Sequence, residues 1–355
     1  MAEKYDEYKE LNLYNDKLSE YSKANKISIL KEIENEIYKL DNRIKSINYN
    51  MYFESEGTLK IKNTNGVDVS AKNNLYGIYF AALSSENGQN KSGSKLLLDR
   101  NFENIDIKSF AKEVVEKSVS LLNSKPVKSG NYKVVFENTC FADLLASFSG
   151  IFSAESVQKD LSLLKGKLGE KIAADIVNIV DNPFLEGGFG NQSFDAEGVP
   201  TMITNLIKDG ELKNYLYNLK TAKKDGVKST GNASKGSYKS SVGIAASNLY
   251  LEKGNKNFDQ ILEEMGNGVL ITDLAGLHSG LNPISGDFSL AASGFLVENG
   301  KKIHALDQFT VAGNFITLLQ NVLCIANDSK FAFPQGDTFI ASPSVLINEL
   351  SISGE

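Results

Sequence analysis

Two carboxylates, Asp195 and Glu197, stand two residues apart between Phe194 and Pro200. In an extended segment this spacing places both side chains on one face, where a carboxylate pair can serve as general acid and general base. Gly198 and Pro200 are equally typical of a turn that Asp and Glu side chains organise by binding backbone amides. The residues alone favour the turn and leave acid–base chemistry open.

Metal ligands and nucleophiles are scarce, since His278 and His304 are the only histidines and Cys140 and Cys324 the only cysteines. Neither histidine belongs to a helical HExxH or HExxxH pattern, which would bring imidazoles and a carboxylate together at zinc. A site of His278, His304 and Cys324 can be drawn, but nothing in their spacing makes them converge. The alternative is a turn histidine, a strand histidine and a buried thiol. GxSxG and GxxxxGK[ST] are also absent, which disfavours the corresponding hydrolase and phosphate-loop sites.

The first part of the chain shows two helical periodicities. Apolar residues recur every three or four positions over 26–48, and again over 107–122 behind a capping Asp106, so both ranges are predicted helices. Between them, alternation on both sides of Asn65-Gly66 predicts a hairpin, and 75–85 predicts a further strand.

A Pro/Gly/Ser/Lys-rich stretch at 125–130 predicts the boundary between a domain at 1–125 and a domain at 126–355. A strand is expected at 132–136. Beyond it, helices are predicted only at about 139–164 and 314–326, and clustered glycines predict tight turns and bulges in a bent sheet.

The composition is ordinary for a globular protein of 355 residues, with 41% hydrophobic residues, 23% charged residues and a formal net charge of −6. Lysines are scattered among acidic residues without a basic stripe, so direct nucleic-acid binding is disfavoured. No signal pattern and no run of about 18 apolar residues is present, and the isolated cysteines suit a reducing compartment. We therefore expect a cytoplasmic protein that does not bind membranes.

Longer patterns resemble the TldD/PmbA family, whose members have also been described as modulators of DNA gyrase. The segment GGFGNQSFDAEGVPT at 187–201, the segment beginning STGNASKG at 229–255 and most of 268–331 are similar to family segments in the expected order. The stretch 13–44 is similar to the middle of the family's N-terminal domain. This resemblance covers most of the chain and is far more specific than any single motif.

The resemblance implies a two-domain α+β protomer, with a sheet-and-helix N-terminal domain at 1–125 and a larger, mainly β C-terminal domain at 126–355. Family members assemble as dimers with a cleft or internal chamber. Because this chain starts well inside the family's N-terminal domain, we expect that domain to be shorter here.

In the TldD branch of the family, a His-Glu-x-x-x-His helix and a C-terminal cysteine supply the zinc ligands and the catalytic carboxylate. The similar helix here is 140–156, where Ala146, Ser147 and Ile151 stand at the His, Glu and His positions, and 327–337 has no cysteine. Alanine and isoleucine offer no lone pair, and one serine cannot replace imidazoles on Zn²⁺. We therefore expect no catalytic residue, no zinc and no other cofactor in this chain, and zinc only in a TldD-type partner.

The implied function is that of a TldE/PmbA-type subunit, inactive alone, of a TldD/TldE-type metalloprotease that cuts unfolded or extended peptides and matures modified ones. Its partners would be a TldD-type protease subunit and an extended peptide, with a homodimer if no such subunit is present. The peptide would pair along a cleft lined by five residues of one segment: Phe194, Asp195, Glu197, Gly198 and Pro200. Two alternatives remain open: an independent homodimeric metallopeptidase that uses His278, His304 and Cys324, and a non-enzymatic binding module of the gyrase-modulator type.

Overall fold

The computed structural model describes residues 1–334, 336 and 338–355, which form two compact units. The smaller unit comprises Asn12–Leu59 and Ser70–Lys125, and the larger unit comprises Met1–Leu11, Lys60–Val69 and Pro126–Glu355. The α-helices and strands up to residue 119 are α1 (Lys23–Leu40), β1 (Ile44–Lys62), β2 (Asp68–Glu86), β3 (Gln89–Asp99) and α2 (Ile107–Val119), and 3₁₀ helices lie at Asp16–Glu20 and Phe102–Asn104.

In the smaller unit, a sheet of order β1-β2-β3 is covered by α1 and α2. Ile33 and Ile37 of α1 and Phe110 of α2 are buried against Tyr76 and Phe80 of β2. Each helix therefore contributes one apolar face, and the alternating residues of β2 supply the other side of the core.

The predicted hairpin is confirmed by β1 and β2, and 75–85 is a strand as predicted, although it continues the second hairpin strand, β2, and is not a further strand. The second helix is confirmed as far as Val119, and the Asp106 side chain accepts from Ser109 N as its cap (3.0 Å). The predicted range of the first helix, 26–48, extends too far, since the helix ends at Leu40 and Ile44 begins β1. Asp41 stops it because its carboxylate accepts from Arg43 N in a local turn.

The larger unit contains many short elements. They are β4 (Gly130–Phe136), α3 (Asn138–Phe148), α4 (Ala154–Gln158), β5 (Ile179–Asp181), β6 (Thr204–Lys208), β7 (Glu211–Leu212), α5 (Leu219–Asp225), β8 (Ala233–Ser234), β9 (Gly243–Ile244), β10 (Asn248–Leu251), α6 (Phe258–Met265), β11 (Gly268–Ala275), β12 (Asp287–Glu298), β13 (Lys301–Asn314), α7 (Phe315–Gln320), β14 (Val322–Ile325), β15 (Lys330–Phe331), β16 (Phe339–Ser342) and β17 (Val345–Ser353).

One sheet of this unit has the order β13-β12-β11-β4-β17-β14, and β13 also pairs with β17, so five of its strands close into a barrel. Strand β4, which comes first along the chain, runs parallel to β11 and antiparallel to β17. A second sheet has the order β15-β16-β10-β5-β6-β7. Helix α3 contacts β11 of the first sheet and β15 and β16 of the second, which places it in the core of the unit.

The strand at 132–136 is confirmed as part of β4, and bulges interrupt the β11–β12 and β12–β13 pairings as predicted. At one bulge a Cβ on Gly294 would lie 1.8 Å from Leu270 O, so only glycine fits there. No described helix is both long enough and apolar enough to span a bilayer.

The helix predictions for this unit were partly wrong. The range 139–164 is not one helix but contains α3, a 3₁₀ turn at Ser149–Phe152 and α4. The helix is interrupted because the backbone of Ser153 is extended. The range 314–326 is helical only through Gln320, since 322–325 pairs with β17 as a strand. Two further helices, α5 and α6, follow asparagine capping boxes and are too short for periodicity to reveal.

Candidate functional site

The carboxylate of Asp195 is completely buried and holds a turn together. Its Oδ1 accepts from the backbone N–H of Glu197 (2.9 Å) and of Val199 (3.0 Å), and its Oδ2 accepts from Ala233 N (2.9 Å). Gly198 completes the turn at φ 82°, a conformation that favours glycine. Asp195 thus has the turn-forming role that the sequence favours, and it also ties this turn to the segment at 229–234.

Glu197 binds a different part of the chain. Its Oε2 accepts from Leu219 N (2.8 Å), at the first residue of α5, where a carboxylate satisfies a free amide and matches the helix dipole. The two carboxylates therefore serve two separate backbone segments. Each carboxylate therefore has a structural role of its own.

A further buried carboxylate, Asp181 at the end of β5, was missed by the sequence analysis. It accepts from Asn232 Nδ2 (2.6 Å) and from both N–H (2.8 Å) and Oγ (2.8 Å) of Ser247. Asn232 precedes Ala233, so one short segment binds both Asp181 and Asp195. The available signal was an aspartate that directly follows the apolar residues Ile179 and Val180.

Burial dominates the electrostatics of both aspartates. Loss of water raises the pKa of Asp181 to about 6, although its bonds to Asn232 and Ser247 act in the opposite direction. Burial likewise raises the pKa of Asp195 to about 6 against the effect of the three backbone N–H donors. Both groups thus titrate in a range where their charge state affects stability.

The glycine-rich loop at 187–190 is fastened by Asn248. Its Oδ1 accepts from Gly190 N (2.8 Å), while its Nδ2 donates to Asn182 O (2.8 Å) and Asn191 Oδ1 (2.8 Å). A Cβ on Gly190 would lie 2.3 Å from Ser247 O. Close packing of backbone explains this glycine without a phosphate ligand.

Residues from the beginning of the chain cover part of the predicted cleft segment. Tyr8 donates its hydroxyl to Gly198 O (2.9 Å), and its ring meets the Phe194 ring edge-on at 6.1 Å. Phe194, Asp195 and Gly198 are buried, whereas Glu197 and Pro200 remain partly exposed. The assignment of these five residues to a peptide cleft stays a prediction.

The residues that the resemblance places at the His, Glu and His positions of the TldD branch lie in or beside α3. Ala146 and Ile151 are buried in the apolar core, and Ser147 donates its hydroxyl to Asp143 O (2.9 Å). Phe148 stacks on Phe315 with centroids 4.4 Å apart. Since two of the three side chains have no lone pair, they do not fit the zinc that a metallopeptidase fold implies.

The alternative ligands occupy three different elements. His278 lies in the turn after β11, His304 lies on β13 opposite Leu296, and Cys324 is buried on β14. Burial, with a smaller contribution from Glu264, raises the pKa of the Cys324 thiol. Among the described residues, no group of three His, Cys, Asp or Glu side chains is placed to hold a metal. The stretch 327–337, with no cysteine in sequence, includes Gln335 and Asp337, which lie outside the described residues.

Comparison with known proteins accounts for nearly the whole chain. Residues 129–354 match the PmbA/TldA metallopeptidase C-terminal domain, and residues 16–122 match the central domain of the same family. The part that we predicted to be an N-terminal domain therefore corresponds to the family's central domain.

The chain resembles the crystal structure of a proposed modulator of a DNA gyrase from Thermotoga maritima, with a TM-score of 0.93 and 37% identity over 99% of this chain and 79% of that one. It is also similar to TldE from Thermococcus kodakarensis, with a TM-score of 0.88 and 25% identity over 98% and 78% of the two chains. Metalloprotease PmbA of Escherichia coli is 27% identical over 338 residues, which are 95% of this chain and 71% of that protein. The α+β fold, the ordered sequence segments and both domain matches agree, and the chain belongs to the PmbA/TldD family.

Proposed function

We propose that this chain is the TldE/PmbA-type subunit of a cytoplasmic TldD/TldE-type metalloprotease, in which a TldD-type partner holds the zinc. The observation that carries the proposal is the chemistry of α3 and the turn after it. Ala146 and Ile151, which the resemblance places at two zinc-ligand positions of the TldD branch, are buried among apolar side chains. The side chains of alanine and isoleucine cannot bind Zn²⁺, but they pack well in an apolar core.

Supporting this, the similarity to a structure named TldE extends over 98% of the chain. In the proposed complex this subunit completes a chamber and contributes a surface for an extended peptide, while its partner performs hydrolysis. The partly exposed Glu197 and Pro200 belong to that surface, and the buried Asp181 and Asp195 keep the surrounding loops in place.

The test is peptide hydrolysis with metal analysis of this chain, of a TldD-type protein from the same source, and of their mixture. We expect stoichiometric zinc and cleavage of an unfolded polypeptide such as casein only in the mixture. Replacing the glutamate of the partner's His-Glu-x-x-x-His helix should abolish cleavage. Ser147→Ala in this chain should leave it unchanged, because Ser147 only bonds to its own helix.

Three outcomes contradict the proposal. Zinc and turnover in the isolated chain would favour an independent metallopeptidase. A stable complex without turnover would favour a binding module of the gyrase-modulator type. A loss of activity with Ser147→Ala, while the complex still assembles, would assign this helix a part in the chemistry.

A further inference from the structure

The segment 220–239 is an exception to the even mixing of lysines with acidic residues along the chain. The segment contains six lysines and one aspartate and therefore has a formal charge of +5. Because the whole chain has a formal charge of −6, the remaining residues together carry −11. We call it the lysine segment; it begins in α5 and ends in the loop between β8 and β9. Its six lysines are Lys220, Lys223, Lys224, Lys228, Lys235 and Lys239.

These lysines lack the acidic neighbours that other lysines of the same unit have. Lys159 pairs with Glu155 (2.8 Å), and Lys213 pairs with Glu211 (2.7 Å). Within the described part of the chain, none of the six forms an ion pair, and five of them are exposed. Their positive potential is therefore available to a partner.

The lysine segment is fastened to the turn at 194–201. Glu197 accepts from Leu219 N, directly before the first residue of the segment, and Asp195 accepts from Ala233 N within it. A Cβ on Gly231 would lie 2.5 Å from Pro200 O, so the two backbones are in direct contact there. The chain then continues through Met202 and Ile203, each 50% exposed.

An anionic partner with apolar side chains fits this combination of free lysines and two exposed apolar residues. A nucleic acid fits less well, because the rest of the chain has a formal charge of −11, which disfavours a long polyanion that extends beyond the segment. A flexible polypeptide can place a few carboxylates beside the lysines and its apolar residues beside Met202 and Ile203. Exposed lysine–carboxylate pairs act over short distances and are sensitive to salt.

We propose that the lysine segment binds an acidic stretch of an extended polypeptide and so gives this subunit a preference for Asp/Glu-rich chains. As a statement about substrates the inference rests on the proposed function, but the binding itself needs neither zinc nor turnover. Its probe is fluorescence anisotropy of a labelled peptide that alternates glutamate and glycine. The matched neutral probe alternates glutamine and glycine.

The test variant is Lys223→Gln/Lys228→Gln/Lys239→Gln. The control variant, Lys208→Gln/Lys253→Gln/Lys301→Gln, removes the same charge from three exposed lysines outside the segment. At low salt we expect the test variant to bind the acidic peptide about tenfold more weakly, since three exposed ion pairs are lost. The control should remain within about twofold of the unchanged chain. Circular dichroism establishes that both variants are folded.

Equal weakening by the two variants, or equally tight binding of the neutral peptide, would overturn the inference. The inference would also be overturned if single-stranded oligodeoxythymidine or phosphatidylserine-containing vesicles bound more tightly than the acidic peptide and only the test variant abolished that binding. The proposed function is tested separately in the zinc-containing mixture. If that mixture cleaves acidic and neutral peptides equally well, only this inference is contradicted. If the chain binds the acidic peptide but the mixture shows no turnover, only the proposed function is contradicted.

Discussion

Helix α3 and the carboxylate network around Asp181 and Asp195 are two buried regions of the same unit with opposite chemistry. The helix and the turn after it have apolar side chains at the positions that the resemblance assigns to zinc ligands of the TldD branch, and these residues pack in the core. The network has two buried carboxylates, one of them in a segment that resembles the family, yet Asp195 bonds only to backbone amides. The difference teaches that a reactive residue type indicates chemistry only when its lone pairs are free.

The apolar side of this comparison gives the largest expected effect. Phe148→Ala should lower the free energy of unfolding by about 4 kcal/mol, because it removes a buried ring stacked on Phe315 and leaves a cavity. Leu168→Ala, at a side chain that is 55% exposed, is the control and should change it by less than about 0.5 kcal/mol. Urea denaturation of the two variants measures both values; equal effects would show that α3 is not packed as described.

On the polar side, Asp195→Ala should cost about 3 kcal/mol, since it leaves three backbone N–H groups without their acceptor. Asp195→Asn should cost about 1 kcal/mol, because the amide oxygen can still accept from Glu197 and Val199. Denaturation at neutral pH distinguishes them. If the two substitutions were equally costly, the amide oxygen of asparagine would not replace the carboxylate as the acceptor of these bonds.

The same carboxylates predict a pH dependence. Both have a folded pKa of about 6, above the unfolded value of about 3.9. Between these values the folded state binds more protons, so stability is highest below about pH 4 for these groups and is lost as the pH rises through about 6. The loss is roughly 2–3 kcal/mol for each group. Unfolding titrations of Asp181→Asn should show a smaller decrease over this range than the unchanged chain, and an identical curve would contradict the assignment.

A smaller effect is expected at the partly exposed carboxylate. Glu197→Ala should cost about 1 kcal/mol, because Leu219 N at the start of α5 loses its acceptor but water can partly replace it. Glu252→Ala, at an exposed residue, is the matched control and should be nearly neutral. Thermal denaturation compares the two, and an unchanged midpoint for Glu197→Ala would show that this bond adds nothing to stability.

The sequence predicted what depends on local patterns. The α2 helix with its Asp106 cap, the hairpin at Asn65-Gly66 and strand β4 follow from periodicity and turn residues. The end of α1 was missed because Ile44 continues the helical spacing while Asp41 forms a turn that overrides it. The strand after Gln320 was missed because only its distant partner β17 makes it a strand.

The candidate site shows the same division. Ala146, Ser147 and Ile151 could be assigned from resemblance, and residue type alone argues against zinc there. The partners of Asp195 and Glu197 could not be assigned, because Ala233 and Leu219 come close only in the folded chain. Asp181 was overlooked for the same reason, since its partners Asn232 and Ser247 are more than fifty residues away.

The barrel closure has a consequence for biosynthesis. Strand β4, at 130–136, pairs with β17, at 345–353, so its neighbour on one side is made more than two hundred residues later. During translation β4 therefore exposes an edge that nothing in the nascent chain can yet cover. Such long-range pairing folds slowly and leaves partly folded chains prone to aggregation. Ribosome profiling combined with protease protection should find the larger unit protected only after β17 has been synthesised, which makes it a candidate client for chaperones that bind nascent chains.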